Sequence, residues 1–255
     1  MRSEAGGPFE ARVAVLEPAA ADIVRLVVNV PEPVLRRTAP GQFADFLVPD
    51  DPGWHVLRRP LSVAGIHPAG HQATFYFRIA GAGTRRLASA AVGSTLNMLL
   101  PLGRGYTPPS PGEKIWLVGG GTGAASILSL PSFYDADFTL FLGFRSPQHA
   151  FGLPVGGSAA YVTYDSRGEL VTDLLLEKLR EGERPDRIAA CGPVPMYRAL
   201  RRVAAEIPTE VSLEERMGCG TGGCQACVAG VGGRLVRTCT EGPVFPLEEV
   251  NDLAD

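Results

Sequence analysis

The chain has 255 residues, 45% of them apolar and 20% charged, with 31 glycines, 22 prolines and a net charge of -3 at neutral pH. This is a turn-rich globular composition, long enough for one large domain or two ordinary ones, and it excludes collagen, a disordered tail and a small disulfide scaffold. With a pI near 5.9 and no Lys/Arg block, the charge favours neither nucleic acid nor an anionic membrane surface as a partner.

The opening residues, MRSEAGGPFEARV, mix charge and glycine and lack the apolar core of a signal peptide. No stretch reaches the roughly 18 to 20 apolar residues of a spanning helix, so a cytoplasmic protein is expected. From Phe9 to about Leu100 the sequence runs as short strands, FEARVAVLEP, IVRLVVNVP, GQFADFLVP, ATFYFRIAG and STLNMLLP, separated by Gly, Pro and His-containing loops. That spacing predicts an antiparallel barrel or sandwich, with one short helix over Leu87 to Ala91. Residues 101–114, PLGRGYTPPSPGEK, concentrate Pro and Gly where the pattern changes and mark a domain boundary.

Beyond it, strands alternate with helices. KIWLV, FTLFLGF, AAYVT and RIAAC read as strands, and the segments starting at AASILSL, over VTDLLLEKLREG and over PMYRALRRVAAEI read as helices, before a short TEVSL. Such alternation predicts a parallel sheet covered on both faces. The tail from Glu214 is dense in glycine and cysteine and fits neither pattern. The expected fold class is therefore α+β and multidomain: an antiparallel β-barrel over 1–103, an α/β parallel-sheet domain over 112–212, and a small C-terminal domain over 213–255.

Five cysteines are present, and four of them, Cys219, Cys224, Cys227 and Cys239, lie within 21 residues. In a reducing compartment such clustering points to a metal or to iron rather than to disulfides. Three thiolates in a loop that also holds Gly218, Gly220, Gly222 and Gly223 can converge on one centre, because glycine lets the backbone fold around inorganic sulfur and donate N–H bonds to it. The spacing C-x4-C-x2-C followed by a distant fourth Cys is that of the plant-type 2Fe-2S loop. The alternatives are structural thiols and a zinc site, although zinc ribbons usually offer two C-x2-C pairs and only one occurs here.

Arg58-Arg59-Pro60-Leu61-Ser62-Val63 opens one barrel strand, and Gly81-Ala82-Gly83-Thr84 follows some twenty residues later. A guanidinium offers paired donors to a pyrophosphate, a hydroxyl can bond a ring or phosphate, and a glycine turn exposes backbone N–H groups to an anion. Gly119-Gly120-Gly121-Thr122-Gly123 follows a strand and opens a helix, the setting of a dinucleotide turn, but its spacing is not G-x-G-x-x-G and no acid sits at a clear ribose position about twenty residues on. Close strand–helix packing is a rival reading of those glycines. Cys191-Gly192-Pro193 ends another strand, where α/β sheets place ligands, and Cys191 reads equally well as a small core residue. The histidines (His55, His67, His71, His149) form no ligand pattern, no nucleophile elbow or P-loop occurs, and Glu214 and Glu215 read as a solvated pair. No catalytic acid or base is expected.

Taken together, these motifs resemble the ferredoxin-NADP reductase superfamily. More narrowly, SLEERMGCGTGGCQACV and CTEGPVF are similar to the electron-transfer subunits of the heteromeric, NAD-linked dihydroorotate dehydrogenases. The resemblance implies FAD in the barrel domain, one 2Fe-2S cluster, and NAD as the electron acceptor. It also implies a separate FMN-containing dihydroorotate dehydrogenase catalytic subunit, joined in a heterotetramer of two of each and serving pyrimidine biosynthesis. It assigns Arg59, Pro60, Leu61, Ser62, Tyr76, Phe77, Arg78, Gly83 and Thr84 to the flavin, Gly120, Gly121, Gly123 and Cys191 to the border of the nicotinamide, and Cys219, Cys224, Cys227 and Cys239 to the cluster. Ser126 stands where the family's glycine motif commonly ends in proline, and the segment before Val171 is short, which implies reduced loops for the adenosine half of NAD. The same architecture also serves hydrogenases, sulfide dehydrogenases and ferredoxin:NADP oxidoreductases. A zinc-stabilised, flavin-free interaction module is the reading from another class.

Overall fold

The computed structural model describes residues 7–48, 57–153 and 158–251. Residues 1–6 of the opening segment, Pro49 at the end of the GQFADFLVP run, His55, residues 154–157 and residues 252–255 lie outside the described residues.

Six strands, β1 (Phe9–Pro18), β2 (Ile23–Asn29), β3 (Phe43–Phe46), β4 (Arg59–His67), β5 (Gln72–Arg78) and β6 (Thr95–Leu102), close into a barrel in the order β1-β2-β5-β4-β3-β6. Every pairing is antiparallel. Alternation along the strands decides what each face does. On β5, Ala73, Phe75 and Phe77 enter the barrel core, whereas Tyr76 packs outward against the neighbouring domain. Phe46 meets Phe75 edge to face at 5.0 Å, and burial of each such side chain contributes roughly 1.5 to 3 kcal/mol. The short helix α1 (Glu32–Leu35) covers one end.

The second short helix, α2, spans Ala82–Leu87 and not the expected Leu87 to Ala91. The cause is Thr84, whose hydroxyl accepts from the backbone N–H groups of Ala80 and Gly81 at 2.9 and 3.1 Å, so that G-A-G-T starts the helix as well as turning the chain. Leu87, fully buried, ends it.

Five parallel strands of a six-stranded sheet follow, β7 (Lys114–Gly120), β8 (Asp137–Phe144), β9 (Ala159–Tyr164), β10 (Arg187–Cys191) and β11 (Thr209–Ser212), with helices α3 (Ala124–Phe133), α4 (Val171–Arg180) and α5 (Val194–Val203) between strands. Ile115 and Leu117 of β7 pack on one side while Trp116 and Val118 pack on the other, so both faces are covered, as a parallel sheet requires. Ile23 and Ala64 of the barrel share a core with Ala125 and Leu128 of α3, which fuses the two units.

The tail is more regular than its sequence suggests. β12 (Val228–Val231) and β13 (Arg234–Arg237) form a hairpin, and β14 (Val244–Pro246) returns to the large sheet, antiparallel to β11, giving the order β14-β11-β10-β7-β8-β9. Strands of three or four residues, one of them interrupted by glycine, are too short to show a period. Among the described residues no helix is long and apolar enough to cross a membrane.

Candidate functional site

The cysteine segment leaves β11 and folds back on itself before β12. Cys219 Sγ accepts N–H bonds from Thr221 at 3.4 Å, Gly223 at 3.2 Å and Cys224 at 3.4 Å, while Cys224 Sγ accepts from Cys219 at 3.3 Å. Burial works against ionisation of Cys219, but the amides of Thr221 and Cys224 outweigh it and bring the thiol down to about 6. Cys227 and Cys239 are buried together with Phe43 and Leu102 of the barrel, and burial next to the Cys227 thiol pushes Cys239 up. Cys224 is exposed. Among the described residues no three His, Cys, Asp or Glu side chains close on a single ion.

A cavity of about 280 Å³ lies between barrel and sheet, walled by Pro60, Leu61 and Ser62 of β4, Tyr76, Phe77 and Arg78 of β5, and Thr84 of α2. Arg59 and Gly83 adjoin these residues in the chain and meet each other: a Cβ at Gly83 would stand 2.4 Å from Arg59 Nη2, so the guanidinium lies where any other residue would put a side chain. Arg58 turns elsewhere, bonding the carbonyls of Asp45 and Asn97 at 3.1 and 3.3 Å and Asn97 Oδ1 at 2.5 Å, which ties β3 to β6. Phe43 and Met217 line this same cavity and also pack with Cys227 and Cys239, so two side chains separate it from the cysteine segment.

A larger cavity of about 830 Å³ opens at the carboxyl ends of β7, β8 and β10, the crevice where open α/β sheets bind ligands. Gly120 and Gly121 line it; Gly123 and Cys191 do not. Gly123 faces inward, where a Cβ would come within 2.4 Å of the Cys191 carbonyl oxygen, so it serves close packing of the glycine turn on β10. Cys191 is fully buried, with its thiol donating to the Ser212 carbonyl at 3.5 Å, and burial raises its pKa. The wall at that point is Gly192-Pro193, held by Tyr197, whose hydroxyl accepts from the Gly192 N–H at 3.0 Å and donates to the Ser212 carbonyl at 2.6 Å. The glycine run therefore divides along its length: 120 and 121 line the cavity, and 123 packs against β10.

Arg78, Thr122 and Glu214 line both cavities and so mark their junction. Glu214 is exposed, as a solvated acid should be, yet the walls of the cavities around it raise its carboxyl while Arg78 opposes that rise. The signal that could have found it is its place, two residues past a parallel strand at the end of the sheet where ligands bind. Arg145, Asp165 and Arg202, which also line the larger cavity, carried no motif.

Comparison with known proteins places this geometry. A model of the iron-sulfur cluster binding domain of dihydroorotate dehydrogenase B matches residues 214–251. The electron transfer subunit of dihydroorotate dehydrogenase B (NAD(+)) from Shouchella clausii is 38% identical over 235 residues, covering 86% of this chain and 89% of that protein. Its counterpart from Desulforamulus reducens is 32% identical over 259 residues, covering 95% and 97%. Among solved structures, a chain of the NADH-dependent reduced ferredoxin-NADP oxidoreductase superposes with a TM-score of 0.82 at 27% identity, covering 96% of this chain and 91% of that one. Phthalate dioxygenase reductase shares the fold, with a TM-score of 0.65 at 16% identity, covering 88% and 87%.

Proposed function

The chain belongs to the family of dihydroorotate dehydrogenase B electron transfer subunits, and from that membership we propose that it carries electrons from an FMN-containing dihydroorotate dehydrogenase catalytic subunit to NAD, through a 2Fe-2S cluster and FAD. The observation that carries this reading is the unbroken sequence of sites: cysteine segment, then Phe43 and Met217, then the smaller cavity, then Arg78, Thr122 and Glu214, then the larger cavity. When bound, FAD exchanges two-electron hydride transfer for single electrons, and the cluster carries those electrons one at a time.

The residues present fit these groups. Gly83 leaves room for the Arg59 guanidinium, a paired donor for the FAD pyrophosphate, with Pro60, Leu61, Ser62, Tyr76, Phe77, Arg78 and Thr84 assigned to the rest of the flavin. Gly120, Gly121 and the Tyr197-fixed Gly192 border the nicotinamide position, where the absence of side chains lets backbone approach a ring. Glu214 and Arg78 set opposite charges at the boundary between the two cavities. Cys219, Cys224, Cys227 and Cys239 are the cluster ligands in this assignment, the N–H bonds around Cys219 being those that favour a thiolate. The match to an iron-sulfur domain leaves the zinc-stabilised, flavin-free module without support.

The proposed assembly is a heterotetramer of two of each subunit in the cytoplasm, acting in pyrimidine biosynthesis. The test is orotate formation assayed with the chain alone, the partner alone and both, with NAD and an artificial acceptor in parallel. NAD reduction coupled to orotate is expected only with both, and orotate made by the chain alone would overturn the electron-transfer role. The likeness to the NADH-dependent reduced ferredoxin-NADP oxidoreductase supports a second reading, the same electron route serving another partner; coupling to ferredoxin but never to dihydroorotate would select it.

A further inference from the structure

The FADF of β3 is buried at all four positions. Alternation sends Ala44 and Phe46 into the barrel core, and it sends Phe43 and Asp45 out of the barrel on the side where Phe43 packs with Cys227 and Cys239. Asp45 is thus an acid aimed at the cysteine segment from another domain. It is 1% exposed, and neither carboxylate oxygen has a hydrogen-bond partner. Its Oδ2 lies so near the loop that a Cβ at Gly220 would stand 2.7 Å away, and Gly220 has a φ of +67°, which admits the close approach. Burying an unpaired acid is unfavourable, and the charges of Arg58 and Arg59 offset part of that cost.

We propose that Asp45 is part of the iron-sulfur site and that its negative charge holds the cluster toward its oxidised form. This rests on the 2Fe-2S assignment above. Reduction adds one electron to the cluster and lowers its charge by one unit, breaking no bond; a fixed negative charge in a low-dielectric neighbourhood opposes that addition, and net charge around a cluster is one of the factors that set its potential. Burial raises the Asp45 carboxyl, Arg58 and Arg59 oppose that rise and Cys219 adds to it, so the charge is read on the alkaline side, at pH 8. Asp45 lines neither cavity, although Pro60 of the flavin set is its ladder partner, so the flavin midpoint is read beside that of the cluster.

The experiment is a potentiometric titration of the holo chain at pH 8 with dithionite as electron donor, reading the reduced cluster by electron paramagnetic resonance and the flavin by absorbance. In Asp45→Asn the cluster should reduce more readily, with the equilibrium shifted at least about tenfold, or about 59 mV for one electron, while iron content and the flavin midpoint stay as in the wild type. Asp45→Glu, which keeps the charge, should restore the wild-type cluster midpoint. If Asn prevents loading, Asp45→Ser gives the same reading with a smaller neutral side chain. An unchanged cluster midpoint in a loaded neutral variant, or an equal shift in both cofactors, would overturn the proposal. So would loss of the cluster in both neutral variants but not in Glu, because the carboxylate would then only hold the loop. A wild-type chain with no reduced-cluster signal would overturn the cluster assignment along with it.

Discussion

The barrel and the cysteine segment are held together by opposite means. The barrel has a closed ladder of six strands and a core in which Leu26, Phe46, Phe75, Leu87 and Met98 are essentially without solvent contact. The segment from Gly218 to Cys227 has no strand ladder, the sulfurs of Cys219 and Cys224 accept bonds from backbone N–H groups, and Cys224 lies at the surface. Packing shapes the first region whether or not a cofactor is bound; the second takes its lasting order from what its sulfurs hold. The contrast explains why one half of the electron route could be carved from a stable scaffold while the other is a glycine-rich loop.

The sharpest way to break the contrast is to remove one ligand. Cys224→Ser should abolish cluster absorbance and iron while leaving bound FAD and the melting of the barrel nearly unchanged; iron analysis and visible spectra read it directly. Phe75→Ala is the converse change, made inside the ladder. It should cost about 3 to 5 kcal/mol of stability and release flavin as the barrel loosens, measured by denaturant unfolding followed through flavin fluorescence.

Two adjacent arginines sharpen the comparison within the barrel. Arg59→Ala should weaken FAD binding by about 1.5 to 3 kcal/mol, roughly tenfold to a hundredfold in the dissociation constant. Arg58→Ala should instead lower stability by about 1 to 2 kcal/mol through the lost β3–β6 bonds, with FAD affinity kept. Flavin titration and urea unfolding separate the two, and equal flavin loss in both would contradict the assignment.

The smallest effect belongs to the sheet. Arg187 bonds Glu113 at 2.9 Å and Glu210 at 2.6 Å, fastening the start of β10 to the residue before β7 and to β11. The Arg187 guanidinium lowers the Glu113 carboxyl below its usual value of 4.5. The stability it contributes is therefore present above that value and lost as pH falls through the lowered one. Glu113→Gln should cost about 1 kcal/mol at pH 7, and the difference from wild type should shrink below pH 4.5, read by unfolding at several pH values.

Most of the fold was legible because period-2 and helical runs report burial directly, as in FTLFLGF or VTDLLLEKLREG. β14 was not, since VFP pairs with TEVS only after the chain has travelled through the whole cysteine segment. In the site, R-P-L-S and G-A-G-T were readable as chemistry, and the structure brings Arg59 against Gly83. Cys191 and Gly123 lie behind the lining of the larger cavity, because the end of the strand exposes its next residues, here Gly192 and Pro193, and keeps its last one inside. Asp45 carried no local signal at all. One acid in FADF acquires meaning only from Gly220, which is 175 positions away in the chain and comes into contact through the fold.

The pairing of β14 with β11 sets how the cysteine segment can move. Ser212 lies opposite Val244, Leu213 N–H donates to the Pro243 carbonyl at 2.9 Å, and Arg201 on α5 grips the carbonyls of Leu247 and Val250. The segment departs and returns through one narrow neck, fastened on both sides, so it is a clasped loop and not a carrier on a leash. Internal electron passage then depends on a fixed gap instead of a diffusive encounter, and its rate should be indifferent to solvent viscosity.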